Sequence, residues 1–148
     1  MPDHGQMIPF DEAMATVRQA AAAMSVGAET VPVAQANGRI LAEDQTSRLD
    51  MPPFNKSAMD GYAIPDADGG AQYDVVGRTI QAGAVPGAPL APGQATKVMT
   101  GAPVPDGAVK VVRVEDTREA DGVVTILKPS KGNNICYHGE DVRVGDVI

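Results

Sequence analysis

The chain has 148 residues and a net charge of −7, from 12 Lys and Arg against 19 Asp and Glu; it repels nucleic acid and anionic membranes unless its cations gather in one place, and they are scattered. A single cysteine excludes an intrachain disulfide and fits a reducing, cytoplasmic setting, and no apolar run approaches the ~18 residues of a membrane span. Apolar residues make up 43%, but with no Trp, two Phe and three Tyr the core must come from Ala, Val and Met, which suits thin sheets and narrow barrels.

Residues 10–24 are predicted to be helical. Phe10, Met14, Val17, Ala21 and Met24 recur at helical spacing on one face. Asp11 and Glu12 suit the first turn, Pro9 is tolerated near a helix start, and Gly27 provides a stop. A helix of this length is marginal alone in water, so its Ala and Met stripe must dock on something. Between 29 and 47, Val31 and Val33 predict a strand. A short helical turn follows, then a turn at Asn37-Gly38. Ile40 and Leu41 open an extended run towards Asp50.

Beyond Met51, short apolar runs (YAI, YDVVG, TIQAG, TKVMTG, VKVVRVE, VVTILKP) alternate with the connections PDADGG, VPGAPLAPGQ, APVPDG and READG. Their spacing of about ten residues predicts a small antiparallel sheet or barrel. The clearest hairpin is VKVVRVEDTREADGVVTIL, with Asp121-Gly122 in its turn and Val112, Val114, Val124 and Ile126 on shared interior faces. The tail, SKGNNICYHGEDVRVGDVI, is polar and turn-rich. Its apolar finish at Val147-Ile148 predicts a longer protein that continues past it.

Three stretches could carry chemistry. In MPPFNKSAMDGYAI, Asp60 is either a turn former bonding nearby amides or a carboxylate shown on a rigid edge. In the second case Pro52 and Pro53 stiffen the approach, Met59 anchors the loop inward, Ser57 adds a hydroxyl, and Gly61 admits a backbone or a ligand. In VMTGAPVPDGA, the Thr100 hydroxyl and an unobstructed Gly101 amide could hold an oxyanion, or the loop is merely ordered by its prolines. In CYHGED, Cys136 and His138 lack the second cluster that a zinc site needs. Glu140 and Asp141 are solvated loop charges, or Asp141 is aimed at a ligand. P-loop, dinucleotide-fingerprint, nucleophile-elbow and zincin motifs are absent, and His4 and His138 give a Ser-His-Asp or Cys-His arrangement little to work with.

Taken together and in this order, PPFNKSAMDGYA, MTGAPVPDGA and GNNICYHGEDVRVGD resemble the N-terminal region of the molybdopterin molybdenumtransferases. This is the MoeA family, itself similar to the E domain of gephyrin. PFDEAMATV and VPVAQANGRILAEDQ resemble that family's N-terminus, so the resemblance covers nearly all of residues 7–148. It implies insertion of molybdenum from molybdate into adenylylated molybdopterin (adenylyl-molybdopterin), with release of AMP and assistance from Mg²⁺. By the same resemblance Asp60, Thr100 and Asp141 are catalytic, and Ser57, Gly61 and Gly101 lie against substrate. Asp60 and Asp141 then organise Mg²⁺ or water; an ordinary Asp pKa is too low for a general base at neutral pH. Two departures are Asn55-Lys56, where many members read Asp-Asn, and Val109-Lys110, where an acid and a small residue are frequent.

The resemblance further implies a homodimer whose site is shared between subunits. A pterin-binding α/β domain and a small C-terminal β domain would follow residue 148. This chain would then form one wall of the site and be inactive alone; the alternative is a non-catalytic dimerisation or scaffold module of the same ancestry. The implied fold is α+β, mostly β. An N-terminal arm and helix occupy 1–27, an elongated α+β piece forms from 28–48 plus 128–148, and a small β-barrel-like domain over 49–127 is inserted between them.

Overall fold

A computed structural model describes residues 7–66, 71–86 and 88–148. His4 and parts of the PDADGG and VPGAPLAPGQ connections lie outside the described residues. The chain divides into two compact units after Glu43.

In the first unit the helical spacing produces α1, Phe10–Ala22, with Asp11 and Glu12 in its first turn. The Ala13 amide donates to the Pro9 carbonyl at 3.0 Å, which suits a residue that can accept there but not donate. The helix ends before Met24, and none of its residues is buried. Phe10 is 76% exposed and Val17 61%. The strand expected at Val31 and Val33 does not form. Pro32 has no amide for a ladder, and the chain makes a 3₁₀ turn over Val33–Gln35 instead. The Asn37-Gly38 turn forms as expected: the Arg39 amide donates to the Ala36 carbonyl at 3.0 Å, and Gly38 has φ +78°, a conformation open to glycine. Ile40 and Leu41 are exposed and lie outside any strand.

The second unit is β-rich. Its strands are β1 (Lys56–Ser57), β2 (Gly61–Ile64), β3 (Gln72–Val75), β4 (Gln94–Val98), β5 (Lys110–Arg113), β6 (Thr117–Ala120), β7 (Val123–Ile126) and β8 (Ile135–Cys136). Six of them form a sheet in the order β5-β2-β4-β3-β7-β6, while β1 pairs with β8. The expectation of an all-antiparallel sheet needs one correction, because β3 and β4 run parallel. The connection from Val76 to Gly93 is long enough for the crossover that parallel pairing needs, and Ile80 makes a parallel bridge to Val98 along it.

The sheet cannot be flat. Six flat strands would hold β5 and β6 about 24 Å apart at the usual strand spacing. Only the 3₁₀ turn Val114–Asp116 separates the end of β5 from the start of β6, and four Cα steps reach at most about 15 Å. The sheet therefore curls into a half-barrel, with β5 and β6 as edges that do not pair with each other.

Side-chain alternation splits the core in two. Tyr62, Ile64, Tyr73, Ala95, Val112 and Val124 pack from five strands into one cluster. Ala63, Val98 and Val111 point the other way, onto Ile80, Leu90, Ala102, Val104 and Ile135. Two sequence expectations change here. Methionine does not fill this core, since Met51 and Met59 are 48% and 41% exposed and the two tyrosines occupy the space. Val114 leaves the shared face and is 37% exposed, because the strand stops at Arg113 to make the turn. The Asp121-Gly122 hairpin forms between β6 and β7, with φ values of +52° and +77°. Thr46 and Val147 form an antiparallel bridge, as do Met51 and Val142, so the tail lies beside residues 46–51.

Candidate functional site

The segment from Met51 to Asp60 is laid down by hydrogen bonds to two remote stretches. The Met51–Pro52 peptide is cis. The Asp141 amide donates to the Met51 carbonyl at 2.9 Å, and the Gly139 amide to that of Pro52 at 2.9 Å. Asn55 accepts the His138 amide on its side chain and the Val104 amide on its carbonyl. Asn55, one of the sequence departures, thus serves as a brace between two loops.

Asp60 stands at the end of this segment, exposed. Its Oδ1 accepts two hydrogen bonds from Thr100, from the amide at 2.6 Å and from the hydroxyl at 2.7 Å. The Thr100 hydroxyl, and after it the Thr100 amide, hold the Asp60 carboxyl below its ordinary range, against a small opposing effect of burial. Asp60 Oδ2 makes no hydrogen bond or ion pair among the described residues. The main chain is fixed too: the Asp60 carbonyl accepts the Val114 amide at 3.0 Å. The Asp60 side chain therefore bonds no amide of its own turn, which the Ser57 hydroxyl closes through Met59, and spends its one held oxygen on a residue 40 positions away.

Thr100 sits in a tight turn, in which the Ala102 amide donates to the Met99 carbonyl at 3.0 Å and Gly101 takes φ +79°. The open oxyanion hole expected at Thr100-Gly101 is not there. Both Thr100 donors serve Asp60, and the Gly101 amide donates to the Ser57 carbonyl at 2.8 Å. The anion that this turn holds is Asp60 itself. The Thr100 oxygen keeps its lone pairs, so towards a ligand it is an acceptor or a metal ligand, not a donor.

Gly61 clears space for backbone. A Cβ there would lie 2.0 Å from the Val112 carbonyl oxygen, so its place is filled by β5. Ser57 is 1% exposed, with its hydroxyl bonded to Met59. Met59, expected to anchor the loop inward, is half exposed; Ser57 and Gly61 are what fix the loop. Asp141 is exposed, and among the described residues no hydrogen bond or ion pair joins it to Asp60 or Thr100. Nor do three or more His, Cys, Asp or Glu side chains converge on one point among the described residues. Burial first, and Glu140 second, push the Cys136 thiol up, which leaves it a poor nucleophile.

Sequence reasoning missed one constellation. His138 Nε2 lies 3.0 Å from Asp50 Oδ2, and Asp50 Oδ1 accepts the Val144 amide at 2.8 Å. With Gly139 and Arg143 these residues line an open cleft. Nothing in the local sequence pairs two residues so far apart. Tyr62 also carries a polar handle: its hydroxyl donates to Glu119, which Lys97 pairs at 3.4 Å while standing over the Tyr62 ring.

Known proteins extend this picture. Residues 8–148 match the family model described as the MoeA N-terminal region (domain I and II). A molybdopterin molybdenumtransferase of Staphylococcus aureus is 38% identical over 149 residues, which cover 95% of this chain and 35% of that protein. Its counterpart in Staphylococcus epidermidis is 40% identical over 119 residues, covering 75% of this chain and 28% of that protein. The crystal structure of the molybdopterin biosynthesis moeA protein from Pyrococcus horikoshii OT3 superimposes with a TM-score of 0.72 at 37% identity, covering 81% of this chain and 34% of that one. The chain thus spans about a third of the length of the curated relatives it matches.

Proposed function

This chain belongs to the MoeA N-terminal region family, and on that premise we propose that it is the N-terminal part of an enzyme of molybdenum cofactor biosynthesis. The reaction is insertion of molybdenum from molybdate into adenylyl-molybdopterin, with release of AMP. The observation that carries this reading is the carboxylate of Asp60, clamped through one oxygen by Thr100 and open on the other. A group held below its ordinary titration range stays charged at neutral pH. It is therefore a fixed anion that binds and orients, and a poor acceptor of protons.

The donor set suits Mg²⁺. Asp60 Oδ2, the Thr100 hydroxyl oxygen and the exposed Asp141 carboxylate are hard oxygen ligands, and Mg²⁺ is commonly held by one or two carboxylates together with waters and substrate phosphates. When bound, Mg²⁺ would supply the positive charge that lets acidic side chains share a site with a phosphoanhydride. Thr100 would set the orientation of Asp60, and Asp141 would lie further along the same wall. The net charge of −7 supports a division of labour in which cations for the polyanionic substrate come from elsewhere. We place them on a pterin-binding domain of a second subunit, in a cytoplasmic homodimer whose site is shared, so that this chain alone is inactive. The domain division belongs to the same proposal: arm and helix over 1–27, a piece formed by 28–48 and 128–148, and a barrel-like insert over 49–127.

The test is AMP release from adenylyl-molybdopterin, dependent on both magnesium and molybdate, in a chain completed with the missing domains. Asp60→Asn keeps an acceptor for Thr100 and loses the charge, so release should fall at least about a hundredfold while the melting temperature holds. Unchanged release would sink the reading. The second reading, a non-catalytic dimerisation module, draws on the uncovered apolar face of α1. It requires this chain to dimerise by sedimentation and the completed protein to show no turnover.

A further inference from the structure

The Asp60–Thr100 pair spans two segments 40 residues apart, and neither lies in a long element. The residues between β1 and β2 form a bend, and Thr100 stands on a two-residue turn tip. Something must fix both segments against each other. We propose that Ser57 is the positioning residue for this pair, acting from behind it and touching no substrate. The inference rests on the reading of Asp60 and Thr100 as the working groups.

Four observations converge on Ser57. It is 1% exposed, so a ligand outside cannot reach it. Its hydroxyl donates to the Met59 carbonyl at 2.5 Å and accepts from the Met59 amide at 3.3 Å, which closes the bend immediately before Asp60. Its carbonyl accepts the Gly101 amide at 2.8 Å, and its amide donates to the Ala102 carbonyl at 2.9 Å, which grips the turn that presents Thr100. In β1 it is paired with Ile135 of β8, a buried residue of the core, so the grip has a fixed base. One residue thus holds Met59, the neighbour of Asp60, by its side chain and Gly101 and Ala102, which follow Thr100, by its main chain.

The two grips can be separated. Ser57→Ala keeps every main-chain bond, and with them the turn at Thr100, but frees Met59. Asp60 then keeps only the Val114 bond on its main chain, its approach from Met59 is loosened, and the two bonds from Thr100 must compete with water. The experiment needs no turnover. In this chain, carboxyl-carbon NMR follows the titration of Asp60, and amide exchange follows Thr100. In the Ser57→Ala variant the Asp60 midpoint should rise towards the ordinary value of about 3.9. Exchange of the Thr100 amide should speed up about tenfold or more, the scale of one charge-assisted hydrogen bond.

A folded Ser57→Ala protein with both readouts unchanged would overturn the proposal. Should that variant fail to fold, Ser57→Cys fills nearly the same space with a weaker donor. It should move both readouts the same way by less, and no movement again refutes the idea. Loss of AMP release in Asp60→Asn tests the enzyme reading separately, because the NMR result stands whether or not the completed protein turns over.

Discussion

Replacing Gly61 by Ala probes the packing that sits behind Asp60. The added Cβ would lie 2.0 Å from the Val112 carbonyl oxygen, 2.8 Å from its carbon and 3.1 Å from Arg113 Cα. All three are backbone atoms, so no rotamer change relieves the clash and β5 must retreat from β2 by about 1.5 Å to reach ordinary contact. Four residue pairs join these strands, from Gly61 with Arg113 to Ile64 with Lys110, and β5 carries the fully buried Val111 and Val112. Overpacking alone costs about 1–3 kcal/mol, and partly uncovering two valines adds roughly 1–2 kcal/mol more. We expect a loss of about 3–5 kcal/mol against a typical domain stability of about 5–15 kcal/mol. For a unit of about 100 residues that lowers the melting temperature by at least about 12 °C. Far-UV circular dichroism on heating, with a parallel urea titration, measures it. Gly101→Ala is the control: it has φ +79° but meets only Ala82 Cβ at 3.8 Å, so it bears left-handed strain of about 1–2 kcal/mol without a clash. If Gly61→Ala melts no lower than Gly101→Ala, the argument that this glycine admits β5 is wrong.

Tyr62→Phe removes the hydroxyl that donates to Glu119 and leaves the ring in place, so it should lower the unfolding free energy by about 1 kcal/mol, read as a lower urea midpoint with an unchanged slope. Low pH should open the Asp60–Thr100 contact late. The folded Asp60 carboxyl titrates below its unfolded value, so the contact contributes fully above about pH 4 and is lost as pH falls through the folded value. The Thr100 amide resonance should accordingly hold steady from neutrality to about pH 5 and shift only in stronger acid; a shift already complete at pH 5 would contradict the clamp.

The sequence made some of this legible because the signals were local. The spacing from Phe10 to Ala21 encodes a helix, and Asp121-Gly122 encodes a hairpin turn, since each is a property of neighbouring residues. Pro32 should have cancelled the strand at Val31 and Val33, because a residue without an amide cannot hold a ladder. Val114 misled for a subtler reason: the alternation of Val112 and Val114 continues past the point where the chain turns to join the sheet edges. The pairing of β3 with β4 depends on a long crossover, which periodicity does not record. At the site, Asp60, Thr100 and Asp141 stood out from their local stretches, but only the family resemblance joined them into one set. The structure places the first two in contact, with Ser57 bonded to Met59, Gly101 to the Ser57 carbonyl and Gly61 packed on β5. Asp50 with His138, and Asn55 with His138, were invisible because each pair joins residues more than eighty positions apart.

The turn Val114–Asp116 works as a clasp. It joins the two rims of the half-barrel, its Arg113–Asp116 ion pair at 2.7 Å fastens it, and its first amide holds the Asp60 main chain. Anyone redesigning this scaffold should leave the clasp uncut: extra residues there would let the rims drift apart and carry the acid with them. The exposed tip at Asp121-Gly122 is the better place to graft a tag or open new termini.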